Sequence, residues 1–315
     1  MKIGISACLL GELCRYDGAS SKDLYILSLM KYFTFVPYCP EASVFGTPRE
    51  TIRLVESDGK IKVITNQTQN DVTQQLDGIS KQYINSIQNE NICAFILKSK
   101  SPSCGMERVK VYQENNSFNE KKGVGIFARN IKEAYPNLPI EEEGRLNDPW
   151  LRENFLMQVF AYGDLQTFLA SKPSFKHLVK FHTSYKYLIY AKSQKSYEVL
   201  GQIVANMEKL PLEIVLEKYK EAFLQAIALK GNIKKTYNIL FHIFGYFKKH
   251  ISKEEKRYIL EALEEYKNEI IPLIAVIKLL NLYTHTLDIK YLKEQKFLNP
   301  YPKDLALRSD IKAYK

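Results

Sequence analysis

The strongest constraint on the fold is a change of hydrophobic period near residue 150. Before it, short apolar runs of strand length alternate with stretches whose apolar residues recur every three or four positions. Residues 2–6, 33–36, 61–64 and 93–97 read as strands, and 21–32, 71–88 and 123–134 as helices. In 71–88, Val72, Leu76, Ile79, Tyr83 and Ile87 fall on one face. Such alternation predicts an α/β domain built on a mainly parallel, three-layer sheet. After residue 150 every candidate element is helical: 179–191, 197–207, 211–229, 233–249, 253–268 and 271–282. Asn232, Ser252 and Pro272 stand near starts, and Gly231 fits a break. The expected organisation is an α/β domain over 1–145 and an all-α domain over 146–315. Glu141-Glu142-Glu143-Gly144 and Asp148-Pro149 are expected to form the linker. At 315 residues the chain exceeds what one core usually holds.

Charge and chemistry divide at the same place. Residues 1–150 carry 18 Lys and Arg against 18 Asp and Glu, while residues 151–315 carry 27 against 17, so the whole net charge of +10 lies in the second half. All five cysteines (8, 14, 39, 93 and 104) lie in the first half, and all five histidines in the second. A catalytic or metal-bearing domain followed by a basic binding domain has this pattern, although a lysine-rich solvated surface would also produce it. No apolar run reaches the ~18–20 residues of a membrane span. Residues 1–10 lack the basic-then-apolar pattern of a signal peptide, so a reducing cytoplasmic setting is expected. There the cysteines are thiols or metal ligands rather than disulfides.

Three cysteines share one topological position. Cys8, Cys39 and Cys104 each follow a candidate strand, and in an open α/β sheet ligands gather outside the carboxyl ends of the strands. Three convergent thiolates can hold zinc or an iron–sulfur cluster. Cys14 is either a loop thiol or a fourth ligand. Cys93, inside an apolar strand run, reads as a small core residue. Glu41, two residues after Cys39, could have its carboxyl pKa moved toward neutrality in a dry pocket and so serve as acid or base. Ser101 and Ser103 bring hydroxyls beside Cys104.

The segments Ser6-Ala7-Cys8-Leu9-Leu10-Gly11, Cys14-Arg15-Tyr16-Asp17-Gly18, Cys39-Pro40-Glu41 and Lys98-x-x-Ser101-Pro102-Ser103-Cys104-Gly105 together resemble the thiouracil desulfidase domain. Residues 181–188 with Ala191-Lys192-Ser193, and Asn299-Pro300-Tyr301-Pro302, resemble the opening and close of the helical domain often fused behind it. The two-domain arrangement resembles the desulfidases of 4-thiouridine in tRNA. The resemblance implies a 4Fe–4S cluster on Cys8, Cys39 and Cys104 with one open iron. It also implies non-redox hydrolysis of a thiocarbonyl to carbonyl and hydrosulfide, with Glu41 as proton shuttle or water activator and Ser101 orienting substrate or water.

A tRNA polyanion would explain the basic half. Lys176, Lys180, Lys186 and Lys192 cluster in and around its first candidate helix, with Lys234, Lys235, Lys248 and Lys249 forming two further patches. Interleaved Phe175, Phe181, Tyr185, Tyr187 and Tyr190 could stack on exposed bases, although helical spacing places Tyr185 and Leu188 in a core. His182 fits either a phosphate contact or a buried polar residue. Two other functions fit the same residues: a desulfidase of free thiouracil or thiolated nucleosides, and a metal-bearing, redox-sensing nucleic-acid-binding protein without catalysis.

Overall fold

A computed structural model of the chain describes residues 1–115 and 117–305. The chain divides into two compact units between Phe155 and Leu156. The strands of the first are β1 (Lys2–Ser6), β2 (Thr34–Tyr38), β3 (Ile52–Ser57), β4 (Lys60–Thr65), β5 (Ile92–Leu97), β6 (Val109–Gln113), β7 (Phe118–Gly123) and β8 (Ile140–Glu142). Its helices are α1 (Leu24–Ser28), α2 (Pro40–Phe45), α3 (Thr73–Glu90) and α4 (Ile126–Ala134).

Two four-stranded sheets result, with orders β2-β1-β5-β8 and β4-β3-β6-β7. The first is parallel throughout. β5 is buried at all six positions, as a parallel strand covered on both faces should be. Gly4 of β1 is required: a Cβ there would lie 2.2 Å from the Phe95 ring. The second sheet is mixed, with β3 antiparallel to β4 and parallel to β6. Residues 61–64 therefore do not extend the parallel sheet as expected. Asp58 and Gly59, with φ of 52° and 70°, turn the chain so that β4 folds back on β3.

Two other expectations change. The helix foreseen over 21–32 shrinks to α1, because Asp23 caps it by accepting from the Ile26 amide at 3.0 Å. The tail, Leu29–Lys31, tightens into a 3₁₀ turn. The acidic linker is not a linker. Glu141 and Glu142 lie in β8, and Glu141, Glu142 and Glu143 are only 6–8% exposed. Glu141 pairs with Arg145 at 2.6 Å, Glu142 accepts from the Met106 amide at 2.7 Å, and Glu143 binds Lys98 and the Ser99 amide. Asp148-Pro149 is a helix start: the Asp148 carboxylate accepts from the amides of Trp150 and Leu151, both at 2.9 Å.

That helix, α5 (Pro149–Ala170), contains the boundary between the units. Then follow α6 (Phe175–Lys192), α7 (Gln194–Ala205), α8 (Leu212–Ala228), α9 (Ile233–Phe247), α10 (Lys253–Lys267), α11 (Leu273–Thr286) and α12 (Lys290–Lys293). Asn232 and Ser252 cap α9 and α10 with their side chains. The core of this unit is aromatic. Tyr185 and Phe223 meet edge to face at 5.0 Å, and Phe181 stacks on Phe168 at 4.5 Å. Among the described residues no helix is long and apolar enough to cross a membrane.

Candidate active site

The parallel order β2-β1-β5 brings three strand ends side by side, with Ser6 opposite Tyr38 and Ile5 opposite Ile96. The chain leaves each of these ends toward a cysteine. After β1 it enters a 3₁₀ turn, Ala7–Leu10, carrying Cys8, and Gly11 closes the turn at φ 102°, a conformation that favours glycine. After β2, Cys39 precedes α2, whose first residue is Pro40. After β5 the loop 98–105 carries Cys104.

That last loop is tightly fixed. The Ser101 hydroxyl oxygen accepts from the amides of Ser103 and Cys104, both at 3.1 Å. The amides of Gly125, Ile126 and Phe127, where α4 begins, donate to the carbonyls of Gly105, Pro102 and Ser103. The approach is so close that a Cβ on Gly125 would fall 2.5 Å from the Ser103 carbonyl oxygen.

Cys8, Cys14, Cys39 and Cys104 all line one cavity of about 350 Å3, together with Glu41 and Ser101. None of the five cysteines is joined in a disulfide. Cys93 sits in β5, outside this lining, as a core residue. Cys14 lies between two of its neighbours. Its hydrogen bond with Cys39 lowers its pKa, but the bond with Cys8, burial and the charges of Cys8 and Glu12 outweigh it and raise the value to about 11. The bond with Cys14, then burial, pushes Cys39 up, and burial does the same to Cys104. Among the described residues no three His, Cys, Asp or Glu side chains converge as a chelate for a single ion. The thiols instead surround a space much larger than an ion.

Glu41 is the polar hub of the cavity. It accepts from the hydroxyls of Ser101 at 3.1 Å and Ser103 at 2.8 Å, and pairs with Arg49 at 3.0 Å. Arg49 also donates to the Cys14 carbonyl at 3.0 Å, tying the Cys14 loop to the same hub. Sequence reasoning singled out Glu41 and Ser101 and noted the Ser103 hydroxyl, but missed Arg49. No motif marks it; the signal is physical, since a half-buried carboxylate calls for a cation nearby.

The lysines of the second unit are more scattered. Lys176, Lys180, Lys234, Lys235, Lys248 and Lys249 are exposed. Lys186 lies over the Tyr197 ring at 5.5 Å. Lys192 must be removed from the phosphate contacts: it is 5% exposed and donates to the Leu229 carbonyl at 2.6 Å, at the close of α8. Burial lowers its pKa to about 8. The interleaved aromatics also turn inward. Tyr185 and Tyr187 are buried, as is Leu188, and Phe175, Phe181 and Tyr190 pack against the same core. His182 is half-buried and meets the Tyr219 hydroxyl at 3.3 Å, so it is a polar residue of the core edge.

Comparison with known proteins agrees with this division. A family described as 2-thiouracil desulfurase matches residues 3–143, and one described as a protein of unknown function (DUF1722) matches residues 186–302. YbbK of Bacillus subtilis (strain 168), an uncharacterized protein, is 32% identical over 155 residues, covering 46% of this chain and 97% of that protein. YbgA of Escherichia coli (strain K12), also uncharacterized, is 24% identical over 157 residues, covering 50% of this chain and 93% of its own. A solved structure, the [4Fe-4S]-dependent thiouracil desulfidase TudS, is 28% identical, with 46% of this chain and 93% of its own covered and a TM-score of 0.38. The chain belongs to the 2-thiouracil desulfurase family, with a DUF1722 region in its helical half.

Proposed function

We propose that the chain is an enzyme that removes sulfur from 4-thiouridine in tRNA by hydrolysis. A C=S group and water give C=O, hydrosulfide and a proton, with no net change of oxidation state. The observation that carries this reading is the single cavity lined by four thiols and a hydrogen-bonded carboxylate.

The donor set fits a 4Fe–4S cluster. Soft thiols reach the cavity from three strand ends, and the space they surround suits a polynuclear group. Thiols whose pKa values are raised need a cationic centre if they are to ionise together. Cys8, Cys39 and Cys104 are the proposed ligands. Cys14, on the longer excursion after the first strand, stays a neighbouring thiol. When bound, the cluster would supply a thiophilic Lewis acid.

The remaining chemistry belongs to the chain. A carboxylate offers about four acceptor sites, of which Ser101, Ser103 and Arg49 occupy three of Glu41's, leaving one for a water proton. Glu41 takes that proton as water attacks the thiocarbonyl carbon. Ser101 holds both Glu41 and the turn that carries Cys104, fixing carboxylate and thiol relative to each other. The substrate base must leave its stack to enter so recessed a cavity.

The basic second half supports tRNA over a free base, because a neutral thiouracil gains nothing from 27 cationic residues against 17 acidic ones. A free-base desulfidase is the second reading, favoured by the roughly 350 Å3 cavity, which accepts a base without its sugar. Anaerobically reconstituted protein incubated with 4-thiouridine-containing tRNA should bleach the thionucleoside absorbance and release hydrosulfide. Absence of both defeats the proposal; preference for free 4-thiouracil in direct competition selects the second reading. RNA binding without turnover, unchanged in Glu41→Ala, would select the redox-sensing binder instead.

A further inference from the structure

The cationic surplus of the chain lies in its second half, yet five cationic side chains line one groove in the first. A groove of about 1210 Å3 runs beside the thiol cavity, lined by Arg53, Lys100, Arg108, Lys110 and Arg145 against two carboxylates, Glu107 and Glu142. The first half carries no net charge, so general basicity does not account for five cations gathered here. Ile52, Ser99, Lys100 and Pro102 line both the groove and the thiol cavity, so the two spaces adjoin and share a wall.

The cations do different work. Arg145 is bound to Glu107 at 2.5 Å and Glu141 at 2.6 Å and holds the wall in place. Arg53 orients Asn66 at 2.6 Å and Gln69 at 2.7 Å, which also line the groove. Lys100 and Lys110 are exposed. Arg108 shares Glu107 with Arg145 and remains largely in solvent. Tyr112 adds an aromatic ring to the lining, against which a base can stack.

From this geometry we infer that the groove holds the phosphates of the RNA strand flanking the target nucleotide, so that the α/β unit itself recognises polynucleotide. The inference rests on the reading of the thiol cavity as a thiouridine site. Its volume exceeds the ~300–1,000 Å3 of a drug-sized ligand site, which points to a polymer rather than a free base. Its charge matches a phosphate backbone, and its place beside the cavity suits a strand that turns one base inward while its neighbours stay outside.

The test uses the full chain, purified anaerobically, and a fluorescently labelled, unmodified oligouridylate titrated at several salt concentrations. The double substitution Arg108→Gln with Lys110→Gln should weaken binding about 10-fold or more and lower the salt slope by about 1–2. Lys110→Glu should also weaken it, and Lys110→Arg should keep the wild-type affinity. Desulfurisation of free 4-thiouracil should be unchanged in all of these, which also shows that the variants are folded. Oligouridylate affinity and salt slope unaltered in Lys110→Glu would overturn the inference even if thiouridine is desulfurised. A wild-type chain that desulfurises nothing, while its RNA affinity depends on Arg108 and Lys110, would overturn the proposed reaction and leave the groove standing as an RNA site.

Discussion

The two units bury different things. Among the described residues, nine buried polar or charged residues lie in the α/β unit, from Ser6 to Glu143, and four in the helical unit. Those of the first unit cluster where the chain must hold a geometry: Ser103 on Glu41, Glu142 on the Met106 amide, Glu143 on Lys98. The second unit buries aromatic rings instead, around Tyr185, Tyr219 and Phe223. A buried hydrogen-bonded group is costly unless every partner is in place, and such groups specify position. Rings supply apolar area and tolerate small shifts. The contrast assigns precise positioning to the first unit and a stable scaffold to the second.

Three measurements can break or sharpen that contrast. The largest effect is expected at the thiols. Cys8→Ala, Cys39→Ala and Cys104→Ala should each lose most of the iron and acid-labile sulfide found after anaerobic purification, while Cys14→Ala and Cys93→Ala should keep it. Full iron in any of the first three removes that residue from the ligand set. Next is Glu41→Gln, which should retain iron yet lower kcat by about 10²–10⁴-fold. A kcat close to wild type would show that the hub does not carry the proton.

The smallest effect lies in the helical unit. Burial, with the charge of Lys186 beside it, lowers the pKa of His182 from 6.5 to about 4. The unfolded chain therefore binds more protons between these values. The contribution of His182 to stability is fully present above pH 6.5 and is lost as pH falls toward 4. Thermal unfolding of His182→Gln should fall less steeply over that window than wild type; equal slopes would mean that His182 is solvated.

Much of the site could be read from the sequence because its markers are local. β1, β2 and β5 are short apolar runs, and the cysteine after each needs only the α/β rule to be placed. The second sheet was harder. β6 (Val-Lys-Val-Tyr-Gln) and β7 (Phe-Asn-Glu-Lys-Lys-Gly) carry charge at half or more of their length or alternate with it, so they resemble loops until paired. Between that sheet's first two strands, Asp58-Gly59 is a local hairpin signal that the sequence does carry. Glu141 to Glu143 misled because their partners, Lys98, Ser99, Met106 and Arg145, include residues more than 30 positions away that nothing in an acidic triplet announces. α5 escaped because its apolar residues surround it and leave no single stripe to detect.

The backbone clasp between the start of α4 and the Cys104 loop has an energetic corollary. Because helix amides already tether this segment before anything occupies the cavity, a guest entering there need not spend its binding free energy on freezing a floppy strap. Affinity at that wall is thus prepaid during folding, and even a single methyl group at position 125 would take it away.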